Sequence, residues 1–252
     1  MTNCDTPRGS LALVGAGPGA SDLLTLRAIR KLQAADTVYY DRLVDPEVLE
    51  LAPATAKKVF VGKHVGAHAW PQEKISAVIV AEALKGRRVV RLKSGDPGIF
   101  GRLPEELEAA RAAGIEAEIV PGVTAACAAA AQTGISLTER GVADTLVLTT
   151  AVCRAGDPLP DCTRHVLPGT TAVFYMSAGQ ASRLREGLLR AGLPPSTPVT
   201  VAADVSKPTA RTLVCPLAEL PEAMERQAVA GCAAIIVTYP KTAIGRMAAA
   251  GH

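Results

Sequence analysis

Short apolar runs alternate along the chain with longer segments in which apolar residues recur every three or four positions. Runs rich in Val, Leu, Ile and Thr are typical of buried strands, whereas the longer spacing is typical of amphipathic helices. This alternation predicts an α/β architecture rather than a β-sandwich or a helical bundle. The runs predict strands at Leu11–Gly15, Thr37–Tyr40, Lys58–Val61, Arg88–Leu92, Glu116–Val120, Thr145–Thr150, Thr171–Met176, Val199–Ala202 and Ala233–Thr238.

Helix start signals agree with the periodic segments. Ser21 is a suitable N-cap for a helix over Asp22–Ala34, and Pro71 occupies the first turn of a helix that continues to Leu84. Pro104 precedes two glutamates, which a helix dipole favours in its first turn. Two further helices are predicted near Ala181–Ala191 and Glu219–Val229.

The chain is predicted to form two domains, residues 8–122 and 123–244. We place the boundary at Pro121–Gly122, where the fifth strand ends and a helix of small residues begins. The segment Ala151–Gly169 is rich in Pro, Gly and Asp, so it is predicted to be a long loop. Aromatic residues make up only 3% of the chain, so its cores must be filled by Leu, Val, Ile and Ala.

Composition and charge exclude several classes of function. The net charge is +3 and the basic residues are scattered, so we expect no nucleic-acid interface. The longest uncharged stretch, Ile119–Thr138, is interrupted by Pro and Gly and is a poor membrane span. Asp5 and Arg8 stand where an export signal needs apolar residues, and the six cysteines form no CxxC pair. We therefore expect a cytoplasmic protein with reduced thiols.

Two glycine-containing turns follow predicted strands, at Gly15–Ala20 and Lys93–Arg102. Ligands of open α/β sheets bind at the carboxyl ends of strands, so both turns are candidates to line one site. The first turn also fits the dinucleotide fingerprint G-x-G-x-x-A, with Asp41 in the place of the ribose-binding acid. Pro18 argues against that interpretation, because it has no N–H to offer a pyrophosphate.

The histidines and cysteines do not form a metal site by their spacing. His64 and His68 lie four residues apart but lack partner ligands, and Cys153, Cys162 and His165 lack a fourth ligand. We therefore predict no metal.

Several ordered motifs at specific separations carry a resemblance to a known family. They are VGAGPGA, YYDRLV, VGKHVGAH, RLKSGDPGIFGR, PGVTAA and LTER within residues 11–140, followed by TAVFYM at 171–176. Together they resemble the tetrapyrrole (corrin/porphyrin) methylases. The resemblance implies a homodimer of two α/β domains with mixed sheets, with S-adenosylmethionine bound in the cleft between the domains.

The resemblance also implies a set of cofactor residues. Met176 and Ile99 would supply an apolar wall, and Asp96 would balance the positive charge of the cofactor. Carried over by position, the whole set is Pro18, Ser94, Gly95, Asp96, Ile99, Thr124, Ala125 and Met176.

The reaction implied by the resemblance is methylation of uroporphyrinogen III at C2 and C7, giving precorrin-2. A substrate with many carboxylates requires cations, so Arg42 and Lys63 are predicted to bind it. Arg102 and Arg140 are assigned to substrate anchoring and charge stabilisation within the catalytic set. Either Glu105 or Asp41 is the better proton acceptor.

The chain departs from the family pattern at some of these motifs. Ser94 and Gly98 stand where Gly and Phe are common, Glu139 replaces a His, and Val205 replaces a Gly. The alternatives are therefore a methylase of a later precorrin, or a degenerate or dinucleotide-binding α/β protein. The YDRLV and VGKHVGAH motifs favour methylation of uroporphyrinogen III over methylation of a later precorrin.

Overall fold

The structure is a computed structural model that describes residues 9–62, 70–152 and 160–241. The chain divides into two compact units, Met1–Ala125 and Ala126–His252. The boundary predicted after Gly122 lies three residues before this division. Within the described ranges, no helix has both the length and the apolar character that a bilayer crossing requires.

The first unit is built on a five-stranded sheet in which every strand pair is parallel. The strand order is β3-β2-β4-β1-β5. Its elements are β1 (Ser10–Gly15), α1 (Leu26–Gln33), β2 (Thr37–Tyr40), α2 (Pro46–Glu50), β3 (Lys57–Phe60), α3 (Gln72–Leu84), β4 (Arg88–Lys93), α4 (Leu103–Ala112) and β5 (Ala117–Val120).

Helices cover both faces of this sheet. Along β1, Ala12 and Val14 pack in one apolar cluster with α1 and α2, while Leu11 and Leu13 pack in another with α3 and α4. Successive residues of a strand point to opposite faces, so one short apolar run serves two cores. Each fully buried Leu contributes about 2 kcal/mol to folding.

The second unit contains a mixed sheet of order β6-β7-β10-β8-β9. The β6–β7 pair is parallel, and the other three pairs are antiparallel. One apolar cluster fills its core, centred on Phe174, Leu188 and Ile235. The elements are α5 (Ala125–Thr133), β6 (Thr145–Thr150), β7 (Thr170–Tyr175), α6 (Ala181–Arg190), β8 (Pro198–Ala203), β9 (Arg211–Pro216), α7 (Leu220–Arg226) and β10 (Ala233–Tyr239).

The predicted start of the first helix is wrong. Residues 21–23 form a short 3-10 turn, the chain is extended at Leu24 and Thr25, and α1 begins only at Leu26. Thr25, not Ser21, is the cap, because its hydroxyl accepts the N–H of Ala28 at 3.2 Å. Ser21 donates instead to Glu47.

Two elements were missed by the pattern analysis. Strand β9 lies at the edge of its sheet and exposes four of its six residues, so it lacks the apolar run of a buried strand. Helix α2 has only five residues, although Asp45 caps it and Pro46 occupies its first turn. Such short or edge elements give weak periodic signals.

Candidate active site

The carboxyl ends of all five strands of the first sheet lie at one edge, because the sheet is parallel. Ligands of open α/β sheets bind at such an edge. The loops that leave β1, β2, β4 and β5 carry most of the residues predicted from the sequence, namely Pro18, Asp41, Arg42, Ser94, Gly95, Asp96, Ile99, Arg102, Thr124 and Ala125. Glu105 lies in the first turn of α4, which follows the β4 loop.

Three of these loops meet in what we call the glycine junction, formed by Gly15, Gly17, Gly95 and Gly122. Gly17 and Gly95 exchange backbone hydrogen bonds of 3.2 and 2.7 Å and both have a φ of +69°. A Cβ on Gly122 would lie 2.2 Å from the carbonyl oxygen of Gly95, and one on Gly15 would lie 2.6 Å from the nitrogen of Gly122. Only glycine fits this approach of three backbone segments.

Asp96 fastens the glycine junction. One carboxylate oxygen accepts the N–H of Gly98 at 2.8 Å, and the other accepts the N–H of Gly122 at 3.0 Å. The side chain therefore ties the β4 loop to the β5 loop. The role predicted from the resemblance, balancing cofactor charge, would be additional to this structural one.

The first glycine turn does not present the N–H cradle of a dinucleotide site. Ala16 donates its N–H to the carbonyl of Lys93 at 2.7 Å, Gly17 donates to Gly95, and Pro18 has no N–H. Asp41, the candidate ribose ligand, is ion-paired with Arg91 at 2.7 Å. These contacts argue against dinucleotide binding.

The same loops fit S-adenosylmethionine. Pro18 and Gly95 are buried, and Ser94, Asp96, Ile99, Thr124 and Ala125 are half-buried. A half-buried lining of small and apolar residues with nearby backbone groups suits a nucleoside joined to an amino acid. When bound, this group supplies a methyl group on a positively charged sulfur.

The backbone of the β4 loop is strained at two residues with exposed side chains. Phe100 and Arg102 have φ values of +52° and +55°, and both side chains are exposed. Arg102 pairs with Glu105 at 2.8 Å, and both members of this pair are about half exposed. Left-handed backbone at residues other than glycine concentrates at functional sites. An exposed pair of this kind contributes at most about 1 kcal/mol, so its partners can be exchanged.

Met176 lies in the second unit, one residue after β7, with a φ of +53° and 49% of its surface exposed. The strand predicted to include it ends at Tyr175, whose hydroxyl accepts the N–H of Ala126 at 3.0 Å. Ser177 accepts the N–H of Ala151 and donates to the Tyr175 carbonyl. Met176 is thus held on a fixed turn with its side chain exposed.

Arg140 and Met176 lie at opposite ends of the second sheet. Arg140 is exposed in a turn closed by the Glu139–Ala143 pair, just before the amino end of β6. Strands β6 and β7 run parallel for six residues, a length of about 20 Å. The second unit therefore does not bring these two predicted residues together.

Val205, the departure noted in the sequence, is buried between two strained residues. Asp204 and Ser206 have φ values of +48° and +57°. Gln132 of α5 accepts the N–H of Ser206 at 3.0 Å and so supports this turn after β8.

The sequence analysis missed a buried charged cluster beside the candidate site. Arg91 bonds Asp41 at 2.7 Å and Glu106 at 3.0 Å, and Lys93 bonds Glu106 at 2.8 Å. Burial lowers the pKa of the Lys93 ammonium, with the charge of Arg91 acting in the same direction. The sequence contained a signal for this cluster, since two cations lie within a central strand of a sheet that is covered on both faces. Buried charges require partners.

Some predicted residues lie outside the described ranges, including Lys63, His64, His68 and Cys153. Within those ranges, no three His, Cys, Asp or Glu side chains gather as metal ligands would. The cysteines at 127, 162, 215 and 232 are present as free thiols.

Comparison with known proteins identifies the class to which this fold and site belong. The sequence profile of the tetrapyrrole (corrin/porphyrin) methylases matches residues 10–221. Siroheme synthase of Psychrobacter sp. (strain PRwf-1) is 45% identical over 212 residues, which are 84% of this chain and 44% of that protein. Siroheme synthase of Edwardsiella ictaluri is 47% identical over 194 residues, 77% of this chain and 42% of that protein. The chain thus spans less than half the length of these relatives.

Solved structures agree with this class. Uroporphyrin-III C-methyltransferase from Thermus thermophilus, complexed with S-adenosylhomocysteine, has 37% identity and a TM-score of 0.77, covering 91% of this chain and 97% of its own. A cobalt precorrin-4 methyltransferase has 28% identity and a TM-score of 0.80, covering 90% and 94%. The fold is that of an α/β methyltransferase.

The chain belongs to the tetrapyrrole (corrin/porphyrin) methylases. The family, the α/β fold and S-adenosylmethionine as cofactor, all predicted from the sequence, are confirmed.

Proposed function

We propose that this protein methylates uroporphyrinogen III at C2 and C7 with S-adenosylmethionine as donor, giving precorrin-2. The observation that carries the proposal is the edge of the first sheet, where the glycine junction lies beside a fixed carboxylate, Asp41. Strands β2 and β4 are neighbours, with Tyr40 opposite Leu92. Asp41 and Ser94 therefore leave adjacent strands at the same edge, about 5 Å apart between strands.

The exposed cations at this edge support a polyanionic substrate. Arg42 and Arg102 are exposed on the loops after β2 and β4. The exposed Glu105 partner of Arg102 is replaceable by a substrate carboxylate, which a guanidinium binds with two parallel hydrogen bonds. Lys63 and Arg140 are proposed to add further substrate contacts.

Asp41 is the better of the two proposed proton acceptors. After a ring carbon gains a methyl group, the macrocycle must lose a proton to a base. The Asp41 side chain is 32% exposed and is fixed by the buried Arg91, whereas Glu105 is 46% exposed and pairs with the surface residue Arg102. A guanidinium keeps its proton throughout the physiological pH range, so Arg102 is a poor base.

Methylation of a later precorrin is a second candidate. The likeness to a cobalt precorrin-4 methyltransferase favours it. Gly98 stands where the family commonly has an aromatic residue, and Glu139 is a glutamate. Both residues are compatible with a different macrocycle as substrate.

Product mass separates the two candidates. The wild-type protein is incubated anaerobically with S-adenosylmethionine and enzymatically made uroporphyrinogen III. The variant Arg88→Met, which replaces a surface arginine, is assayed in parallel as a control. We expect both proteins to give a product with two added methyl groups, which is heavier by two CH2 units because each transfer is followed by loss of a proton. Unchanged uroporphyrinogen III, together with methylation of a later precorrin, would move the assignment to the second candidate.

We also propose that the protein acts as a cytoplasmic homodimer, on the strength of the family resemblance. Light scattering of the purified protein should give twice the mass of one chain; a monomeric mass at assay concentration would contradict the dimer.

A further inference from the structure

The charged cluster beside the site forms a chain from the protein interior to the sheet edge. Glu106 is fully buried and accepts hydrogen bonds from Arg91 at 3.0 Å, Lys93 at 2.8 Å and Gln72 at 3.2 Å. Arg91 continues the chain outward to Asp41. Of these side chains, Asp41 is the one that reaches solvent at the edge.

Arg91 has little freedom to move. Its Nε donates to Glu106, one terminal nitrogen donates to the carbonyl of Leu92 at 2.9 Å, and the other donates to Asp41 at 2.7 Å. The guanidinium is therefore held on three sides, and one of these three contacts is the bond to the Asp41 carboxylate.

Fold stability alone does not explain the cluster. Buried ion pairs are weak evidence for stability, since apolar replacements of the same volume are often neutral or better. The four ionisable groups balance in charge, two cations against two carboxylates, yet one carboxylate is left partly open to solvent at the edge.

We propose that Arg91, Glu106 and Lys93 are positioning residues that hold the Asp41 carboxylate in place as the proton acceptor. The inference rests on the proposed function. Gln72 of α3 and Lys93 of β4 fix Glu106, Glu106 fixes Arg91, and Arg91 fixes Asp41.

Arg91 faces Asp41 directly from β4, and the charges of Lys93 and Glu106 lie behind it in the same cluster. An apolar residue in place of Arg91 removes the group that fixes the Asp41 carboxylate. The proton acceptor then loses its orientation, and the chemical step slows.

The test compares Arg91→Met, Arg91→Lys, Glu106→Gln and the surface control Arg88→Met, which lies on the same strand. We expect kcat to fall at least about tenfold in Arg91→Met while the KM for the tetrapyrrole stays within about twofold, because a misplaced base slows the chemical step rather than binding. Arg91→Lys keeps a cation on β4 but not the two-pronged geometry, so it should recover only part of the lost kcat. Glu106→Gln should lower kcat, and all variants should bind S-adenosylhomocysteine within about twofold of wild type.

Two further readouts keep the inference separate from folding and from the choice of substrate. Thermal melting reports stability, and crystal structures of Arg91→Met and Arg88→Met report the position of the Asp41 carboxylate without any substrate. The carboxylate should leave its wild-type position in Arg91→Met and keep it in Arg88→Met. If wild type leaves uroporphyrinogen III unmethylated but the carboxylate moves in Arg91→Met, the proposed function fails and the positioning chain stands.

Two results would overturn the positioning role. One is an Asp41 carboxylate that keeps its position, and a kcat that keeps its wild-type value, in Arg91→Met. The other is a parallel loss of stability, cofactor affinity and kcat with no recovery in Arg91→Lys, which would make the cluster purely structural.

Discussion

The glycine junction predicts a severe effect of one added methyl group. In Gly122→Ala the new Cβ would lie 2.2 Å from the Gly95 carbonyl oxygen and 2.9 Å from the Gly15 Cα. All of the atoms met belong to backbone, so no flexible side chain is able to yield. The β4 and β5 loops must separate by about 1 Å to restore an ordinary contact of about 3.4 Å.

The cost of this substitution has two parts. Forced overpacking in a packed interior costs about 1–3 kcal/mol. Separation of the loops also breaks the hydrogen bond from Gly122 to Asp96, worth about 1 kcal/mol. We therefore expect a loss of about 2–4 kcal/mol, and 2 kcal/mol in the binding conformation alone weakens cofactor affinity roughly 30-fold.

Isothermal titration with S-adenosylhomocysteine measures this effect, and thermal melting measures stability. Gly179→Ala is the matched control, because its Cβ would meet nothing within 4 Å. It should bind and melt as wild type does. Wild-type affinity and melting in Gly122→Ala would refute the close approach of the three loops and the role that we assign to it.

The remaining predictions concern single side chains. Asp96→Ala removes the acceptor of two backbone N–H groups, so it should weaken S-adenosylhomocysteine binding in titration, and Asp96→Asn should have an intermediate affinity. Equal affinities in wild type and both variants would contradict the loop-fastening role. Arg102→Ala should raise the KM for uroporphyrinogen III roughly tenfold while leaving cofactor affinity within about twofold, since it removes a charge-assisted contact; a matching loss of cofactor affinity would show that Arg102 is misassigned. Hydrogen bonds from Arg88 lower the pKa of Asp36 from 3.8 to about 2, so this stabilisation is present above about pH 4 and is lost as the pH falls toward 2. Asp36→Asn should therefore flatten the acid side of the stability profile in urea unfolding, and an unchanged slope between those pH values would contradict the pairing.

Strands with apolar runs were predictable from the sequence because burial on both faces leaves an unbroken signal. Strands β1 and β2 begin and end within a residue of their predicted bounds. Strand β9 was not predictable in this way, since an exposed edge strand needs no apolar run. Helix α1 starts later than predicted because the chain is extended at Leu24. The capping preference of Ser21 does not predict this extension.

Within the candidate site, the loops were predictable and their internal contacts were not. Glycines after β1 and β4 marked the edge where ligands bind. The packing of Gly122 against Gly95 joins residues 27 positions apart, and such close approaches depend on strand order rather than on local sequence. The partners of Arg91 were hidden for the same reason, since Asp41 follows β2 and Glu106 lies in α4.

The central claim is that the methyl donor binds at the glycine junction beside Asp41. A crystal structure of the protein with S-adenosylhomocysteine tests it most directly. Our account predicts ligand density in contact with the backbone of Gly95 and with Thr124. Density confined to another part of the protein, with these loops bare, would contradict it.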